Sequence, residues 1–313
     1  CCFVGEIIDR PACPQMITPE DRKSPSRAPL STYPGFNKKG EEPLFLQCSS
    51  GSTGLQKAVA ITGHNLEHQI QSYQPALQLD PKQDHIINWL PLYHDMGLIT
   101  AHLLPLLTQI PITHIDTFDW AANPDSFLQL LEEQQGTLCW LPNFAFSFLS
   151  RSKKSYDLSR VRSFINCSEP VSLGAFHRFQ TTFSVRPDQF GVSYALAENV
   201  FAASQTPIGH PPMALIVDQN ALQRRVVKII KTWNWGDPAP QTGQQVVFSC
   251  GKALDSVRID IRPRHEREQV GEVLLAGEST VSGYYGQPPT QKQGWLPTGD
   301  LGFIHQEALY ICG

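Results

Sequence analysis

The chain has 313 residues, of which 41% are hydrophobic and 17% are charged, and its formal net charge at pH 7 is −4. This length suits one large domain or two ordinary ones with a sizeable buried core, and no apolar run is long enough to predict a transmembrane segment. The charge balance, without a dominant Lys/Arg block, argues against a surface for nucleic acid, and the first residues lack the pattern of a secretory signal.

Residues 1–42 are an irregular lead-in, and from residue 43 to residue 204 strand-like and helix-like patterns alternate. Bounded apolar runs predict strands over 43–49, 57–62, 85–90, 111–116, 137–142, 161–167 and 190–196. Apolar residues at helical spacing predict helices over 65–76, 97–107, 123–136 and 172–183. This alternation favours an α/β fold with a doubly wound, mostly parallel sheet.

Local signals mark the ends of some of these helices. Thr62 is a candidate cap for the first helix, and Pro105 is a weak point in the second. In the third, Asn123 or Asp125 is a candidate cap, and Gly136 is expected to end the helix.

After residue 204 the pattern changes. The runs QQVVFSCG, SVRIDIRP, GEVLLAG and ALYICG predict strands separated by Gly/Pro turns. We therefore expect an α/β subdomain over residues 43–204 and a smaller β-rich subdomain over residues 205–313.

The eight cysteines are scattered, with no C-x-x-C pair and no Cys/His spacing typical of a zinc site. Several lie in apolar runs, which favours buried, reduced thiols. The sequence thus predicts a cytoplasmic protein.

A loop rich in Ser, Gly and Thr, 49-SSGSTGLQK-57, separates the first two predicted strands. Gly51 and Gly54 allow close approach of the backbone to a ligand, and successive N–H groups in such a loop bind anions. The loop suits a polyphosphate, but it is not a P-loop, because it opens into a strand and lacks that spacing. A flexible linker is the alternative interpretation of the same composition.

Five ordered motifs resemble those of the adenylate-forming superfamily, which includes acyl-CoA synthetases, fatty acyl-AMP ligases and peptide-synthetase adenylation domains. They are the loop 49–58, 89-WLPLYHDMGLI-99, 166-NCSEPV-171, 194-YALAEN-199 and 298-TGDLGF-303. The second, third and fourth are most similar to the fatty acyl-AMP ligase branch. Gln56, Ala58 and Ala197 depart from the common family pattern, which has Pro, Gly and Thr there.

The resemblance implies ATP and Mg²⁺ as cofactors. It implies that the loop holds the β- and γ-phosphates through Ser49, Ser50, Gly51, Ser52, Thr53, Gly54 and Lys57. It also implies that His94 lies near the acyl carboxylate and that Glu198 binds Mg²⁺, so His94, Lys57 and Glu198 are the predicted catalytic residues. The alternatives are a structural histidine and a solvated surface glutamate; Asp95 is expected to be structural.

The same resemblance implies a nucleoside pocket. Its predicted residues are Ser168, Glu169, Pro170, Tyr194, Ala195 and Asp300. Tyr194 is expected to stack on adenine, and Asp300 to accept from both ribose hydroxyls; a core aromatic residue and an ordinary turn are the alternatives. The apolar run 140–149 is expected to line an acyl tunnel, or else to be plain core.

The implied reaction is activation of a fatty acid to acyl-AMP with release of pyrophosphate, followed by transfer to the thiol of an acyl carrier protein, in lipid metabolism or natural-product biosynthesis. An acyl-CoA synthetase and a non-catalytic adenylate-binding module are the alternatives. By the same resemblance the chain is a partial large domain, with further residues expected before Cys1 and a hinge and C-terminal lid after Gly313. We therefore expect this chain alone to adenylate slowly or not at all.

Overall fold

A computed structural model describes residues 42–49 and 57–313 of the chain. The strands within these residues are β1 Pro43–Cys48, β2 Ala58–Thr62, β3 Ile86–Asn88, β4 Ile112–His114, β5 Leu138–Leu141, β6 Ser163–Asn166, β7 Phe190–Ala195, β8 Ala202–Gln205, β9 Ala214–Asp218, β10 Ile229–Trp233, β11 Gln244–Phe248, β12 Lys252–Ala253, β13 Val257–Arg262, β14 Gly271–Gly277, β15 Leu296–His305 and β16 Ala308–Ile311. The helices are α1 Gly63–Ala76, α2 Leu104–Thr108, α3 Thr117–Ala122, α4 Asp125–Glu133, α5 Asn143–Leu149, α6 Leu173–Phe183 and α7 Gln219–Gln223, with a π-helix over Met96–Leu103.

The main sheet has seven strands in the order β12-β8-β7-β6-β5-β3-β4. The five strands from β7 to β4 are parallel to one another, while β8 and β12 are antiparallel to their neighbours. Every residue of β3, β5 and β6 is buried, as expected for parallel strands covered on both faces. The predicted α/β fold with a mostly parallel sheet is therefore confirmed.

The first hairpin also matches the sequence interpretation. β1 pairs antiparallel with β2, and the Ser49 amide donates to the Lys57 carbonyl at 2.9 Å, closing the ends of the loop. Thr62 caps α1 through a capping box with Asn65, so the helix begins at Gly63 rather than Asn65.

Two predicted helices have different bounds in the structure. The run 97–107 is a π-helix up to Leu103 followed by α2 from Leu104. Gly97 lies against the carbonyl of Pro91 with no room for a Cβ atom, so the start of this π-helix packs closer to the Pro91 backbone than any other residue type would allow.

The prediction of one helix over 123–136 was wrong at both ends. A short helix, α3, precedes it and is capped by Asp116, whose carboxylate accepts from the amides of the first turn. α4 then begins at Asp125 after Pro124, without a side-chain cap, and ends at Glu133. The missed helix has six residues, too few to show a periodic pattern.

The remaining strands form a three-stranded sheet, β10-β9-β11, and a four-stranded sheet, β13-β14-β15-β16. The sequence did not predict β9, β10 or β15, and Thr298-Gly299-Asp300 lies within β15 rather than in a turn. The division between residues 204 and 205 stays a prediction; β8 continues across it to Gln205 and pairs with β12.

A buried ion pair ties the loop before β3 to the loop before β6. The Asp84 side chain is 0% exposed and accepts from the Arg162 guanidinium at 3.0 Å. Thr137 donates to the second carboxylate oxygen of Asp84 at 2.8 Å, so both oxygens of the buried group are bonded.

None of the helices in the described part of the chain has both the length and the apolar character required to cross a bilayer.

Candidate functional site

A cavity of about 640 Å³ lies at the carboxyl ends of the parallel strands of the main sheet. It is lined by β7, by segments that follow β3, β6 and β7, and by residues of β11, β15 and β16. Open α/β sheets bind ligands at this edge, and the volume is typical of small-molecule sites. The cavity is therefore the candidate functional site.

Nine of the predicted site residues line this cavity. They are Ser49, His94, Ser168, Glu169, Pro170, Tyr194, Ala195, Glu198 and Asp300. The predicted residues Ser50, Gly51, Ser52, Thr53 and Gly54 lie outside the described residues. Because no ligand is present, the functional roles of all these residues stay predictions.

The segment 168–170 follows β6 and is exposed on the cavity wall. Ser168 has a φ of 74°, in the left-handed region that non-glycine residues seldom occupy. The Asn143 side-chain amide donates to the Pro170 carbonyl, and its oxygen accepts from Asn166 at 3.0 Å and from the Ser172 amide at 3.1 Å. Asn143 thus fixes the shape of this segment.

Tyr194 and Asp300 form one hydrogen-bonded unit. The Tyr194 hydroxyl donates to Oδ2 of Asp300 at 2.6 Å, and the tyrosine is 7% exposed. Burial raises the pKa of Asp300, an effect that the bond from Tyr194 opposes. Burial and the neighbouring carboxylate raise the pKa of Tyr194 well above its ordinary value, so the hydroxyl remains a donor.

His94 and its neighbour Asp95 form an ion pair beside the cavity, with Nδ1 of the histidine 2.6 Å from Oδ1 of the aspartate. The hydrogen bond that the His94 ring donates to Asp95 raises the pKa of His94, against the opposing effect of burial. Asp95 also accepts from the Met96 amide at 2.7 Å and so begins the π-helix, which supports the prediction of a structural role for Asp95. Its carboxylate favours a protonated His94 facing the cavity.

Glu198 is held by a residue to which the sequence gave no role. The Tyr284 hydroxyl donates to Oε1 of Glu198 at 2.8 Å, and the Lys57 ammonium lies 4.7 Å from the centre of the Tyr284 ring. Lys57 itself is not among the residues that line the cavity. It contacts the Tyr284 ring, and the hydroxyl of the same tyrosine bonds to Glu198. The contact between Lys57 and the ring is a cation–π interaction.

The backbone around Tyr284 makes the same connection. The Val281 amide donates to the Glu198 carbonyl at 2.9 Å, and the Tyr285 amide donates to the Ala58 carbonyl at 2.8 Å. Residues 281–285 therefore join the strand after the Ser/Gly loop to the segment that carries Glu198. We call residues 281–285 the connecting segment.

Sequence reasoning missed Asn143 and Tyr284. Neither stands in a pattern that signals a site: Asn143 follows Pro142 at the start of α5, and Tyr284 lies in a Gly/Pro-rich run. Only contacts with residues far along the chain reveal them.

The aromatic run 140–149 divides between two environments. Trp140 and Phe146 are buried in the core, whereas Phe144 is 53% exposed and lies at the edge of the stacked Trp89–Trp120 pair. Its predicted role in an acyl tunnel stays a prediction.

Comparison with known proteins decides the family. The AMP-binding enzyme family matches residues 4–285. The chain belongs to that family. This confirms the resemblance to the adenylate-forming superfamily drawn from the five motifs.

Several members of the family are similar over most of this chain. The long-chain-fatty-acid–AMP ligase of Mycolicibacterium smegmatis is 30% identical over 307 residues. The match covers 86% of this chain and 48% of the ligase. A putative acyl-CoA synthetase of Caulobacter vibrioides is 28% identical over 293 residues, covering 87% and 50%. The chain thus spans about half the length of the curated relatives it matches.

Solved structures show the same fold. The fatty acyl-adenylate ligase from L. pneumophila, in complex with acyl adenylate and pyrophosphate, superposes with a TM-score of 0.78 at 27% identity and covers 88% of this chain and 51% of its own. The adenylation domain of a keto acid-selecting NRPS module bound to keto acyl adenylate superposes with a TM-score of 0.75 at 25% identity. The match covers 86% of this chain and 52% of that domain's chain.

Proposed function

We propose that the protein activates a fatty carboxylate with ATP, forming acyl-AMP and releasing pyrophosphate. The observation that carries this proposal is the meeting of His94, Tyr194, Glu198 and Asp300, from three separate motifs, around one cavity. The similarity to a fatty acyl-adenylate ligase solved with acyl adenylate and pyrophosphate supports the choice of substrate.

In the proposed reaction, a carboxylate oxygen of the fatty acid attacks the α-phosphorus of ATP. A new oxygen–phosphorus bond forms, and the bond from the α-phosphorus to the bridging oxygen of pyrophosphate breaks. Catalysis of such transfers depends mainly on positioning and on stabilisation of charge.

The nucleoside would bind between β7 and β15. The Asp300 carboxylate would accept hydrogen bonds from the ribose hydroxyls, and the Tyr194 hydroxyl would hold this carboxylate in place. The exposed segment 168–170 and the Tyr194 and Ala195 backbone would bound the adenine.

The charged groups would act on the phosphates and the carboxylate. His94, whose pKa is raised by its hydrogen bond to Asp95, would neutralise part of the charge when the fatty carboxylate approaches ATP. The residues fit a Mg²⁺ ion, since Glu198 has a carboxylate at the cavity wall, and among the described residues its side chain bonds through Oε1 to Tyr284. Mg²⁺ commonly takes one or two carboxylates together with phosphates. When bound, the ion would neutralise phosphate charge; Lys57 and the 49–54 loop residues would contact the β- and γ-phosphates.

For the acceptor we propose the phosphopantetheine thiol of an acyl carrier protein. The support is the similarity to a fatty-acid–AMP ligase at 30% identity. Coenzyme A is the second candidate, because a putative acyl-CoA synthetase matches this chain almost as well. We also propose a cytoplasmic location, where the free thiols of buried Cys139, Cys167 and Cys250 would stay reduced.

The test is thermal unfolding of the chain with acyl-adenosine sulfamates of several chain lengths, alongside pyrophosphate release with Mg·ATP and the matching fatty acids. A ligand that binds only the folded state stabilises it by about 2.7 kcal/mol at a hundredfold excess over its Kd. We expect stabilisation that depends on acyl chain length and exceeds that of adenosine.

Equal shifts for adenosine and every acyl sulfamate would contradict a fatty-acyl site. Binding together with a lack of pyrophosphate release, in a version of the protein that extends to the full length of its relatives, would favour the non-catalytic binding module. The two enzyme candidates differ in the thiol that accepts the acyl group. Supplying preformed acyl-AMP with either a carrier protein or coenzyme A, and measuring which thiol takes the acyl group as AMP is released, would separate them.

A further inference from the structure

Three metal-ligating side chains meet on the surface of the protein, away from the residues that line the cavity. His64 and His68 lie four positions apart on α1, which places them on one face of the helix. Glu278 follows β14 directly. The candidate ligand atoms of these three residues all lie within 4.8 Å of one another.

The contacts within this group hold it together without a metal. His64 Nε2 lies 2.7 Å from Oε2 of Glu278, and the His64 and His68 rings are 4.4 Å apart in an edge-on arrangement. The backbone of Glu278 is fixed as well, because the Asn65 side-chain amide donates to its carbonyl at 2.8 Å. The three side chains therefore converge from two elements whose backbones are already joined.

Two imidazoles and one carboxylate make a ligand set that suits Zn²⁺. Zinc binds histidine nitrogens and carboxylate oxygens at about 2.0–2.2 Å, and three protein ligands leave a fourth tetrahedral position for water. Ligand atoms around such an ion lie about 3–3.5 Å apart by that geometry. Small rotations of the partly exposed His64, His68 and Glu278 side chains would bring their ligand atoms from within 4.8 Å of one another to the spacing of a tetrahedral zinc site.

We propose that His64, His68 and Glu278 form a zinc site that clamps the first turns of α1 to the end of β14. Nitrogen ligands distinguish this site from the carboxylate-and-phosphate environment proposed for Mg²⁺ at Glu198. The clamp joins two elements that adjoin proposed phosphate-binding residues along the chain: α1 follows the Ser/Gly loop and β2, and Glu278 precedes the connecting segment by three residues.

The inference does not depend on the proposed enzyme activity. The residues that line the cavity do not include any of the three ligands, and binding of the ion is measured in the absence of ATP and fatty acid. A failure of adenylation would leave the zinc site untouched, and a failure of zinc binding would leave the adenylation proposal untouched.

The experiment is titration of the EDTA-treated, desalted full chain with Zn²⁺. Calorimetry measures the stoichiometry and Kd, thermal unfolding measures the Tm, and Co²⁺ serves as a spectroscopic probe of the ligands. The variants are His68→Gln and Glu278→Gln, and the matched control is His177→Gln on α6, an exposed histidine outside the group. Loss of an outer-shell partner alone costs about 10–100-fold in metal affinity, so loss of a direct ligand is expected to raise the Kd for Zn²⁺ by at least about 100-fold.

We expect one equivalent of Zn²⁺ that both ligand variants lose and the control keeps, with a rise in Tm only for the wild type and the control. Co²⁺ should give absorption typical of nitrogen and oxygen ligands. All three variants should match the wild-type Tm in EDTA, because the substituted side chains are partly exposed.

Two results would overturn the proposal. One is Zn²⁺ binding of the same stoichiometry and affinity in the wild type and in both ligand variants. The other is a Co²⁺ spectrum dominated by thiolate charge transfer, which would assign the bound ion to cysteines.

Discussion

The Tyr284 hydroxyl donates a hydrogen bond of 2.8 Å to Oε1 of Glu198, 86 residues earlier in the chain. This bond holds the proposed Mg²⁺ ligand in one orientation. The ring of the same tyrosine lies against the Lys57 ammonium, 4.7 Å from its centroid. One side chain thus positions a carboxylate and a cation that are both proposed to act on the phosphates.

Replacement of Tyr284 by Phe removes the hydroxyl and keeps the ring. A hydrogen bond to a charged group contributes about 1.5–3 kcal/mol, so we expect the Kd for Mg·ATP to rise by about 10-fold. Binding of AMP without Mg²⁺ should not change, because the predicted nucleoside residues do not include Tyr284. Calorimetric titration of both nucleotides measures the effect.

The adjacent Tyr285 supplies the control for that variant. Its side chain is 59% exposed, and Tyr285→Phe should leave both affinities unchanged. If Tyr284→Phe binds Mg·ATP as tightly as the wild type, Tyr284 does not position Glu198 for the metal.

Asp300→Asn keeps the shape of the side chain and removes its charge. We expect the Kd for an acyl-adenosine sulfamate to rise at least about 10-fold, because hydrogen bonds to a charged acceptor are worth about 1.5–3 kcal/mol. Asp260→Asn, at an exposed aspartate on strand β13 of the same sheet, is the control. A thermal-shift titration with the sulfamate measures both, and equal affinities would exclude Asp300 as the ribose ligand.

Protonation of Asp300 should weaken binding of the acyl-adenosine sulfamate at low pH. Burial raises the pKa of Asp300 above its ordinary value, so the carboxylate becomes protonated at a higher pH than an exposed aspartate. Tyr194→Phe removes the bond that lowers this pKa, and the midpoint of the loss should therefore move to higher pH. A midpoint that stays unchanged in Tyr194→Phe would contradict the coupling of the two residues.

Asp95→Asn should lower the pKa of His94. The hydrogen bond from the His94 ring to Asp95 raises this pKa above its ordinary value in the folded protein, so the pKa should fall in the variant. The stability that the pair provides is present below the unfolded pKa of histidine and is lost as the pH rises through the folded pKa. NMR titration of the His94 ring and urea unfolding over a pH series test both statements.

The asparagine retains an oxygen that accepts from the Met96 amide, so the start of the π-helix should survive the change. An unchanged His94 pKa in Asp95→Asn would mean that the aspartate serves the π-helix alone.

Asp84→Ala should destabilise the fold by about 3–5 kcal/mol, because it removes the carboxylate that compensates the charge of the partly buried Arg162. Urea unfolding measures the loss. Lys252→Ala, which breaks an exposed ion pair with Glu307, is expected to leave the midpoint unchanged. Equal effects of the two substitutions would show that burial does not set the strength of the Asp84–Arg162 pair.

The sequence by itself determined the elements whose pattern is local. Buried parallel strands such as β5 and β6 are short apolar runs between turn signals, and α6 shows both a serine cap and a regular apolar face. The five motifs also sufficed to predict the family, because each is a contiguous stretch whose order along the chain is itself informative.

The tertiary structure decided what depends on contacts between distant residues. The Tyr194–Asp300 bond spans 106 positions, and the connecting segment reaches Glu198 and Ala58 through its backbone. A six-residue helix, a π-helix and the strands β9, β10 and β15 have boundaries set by packing rather than by propensity. A residue such as Tyr284 therefore has no local signal, since its partners meet it only after the chain has folded.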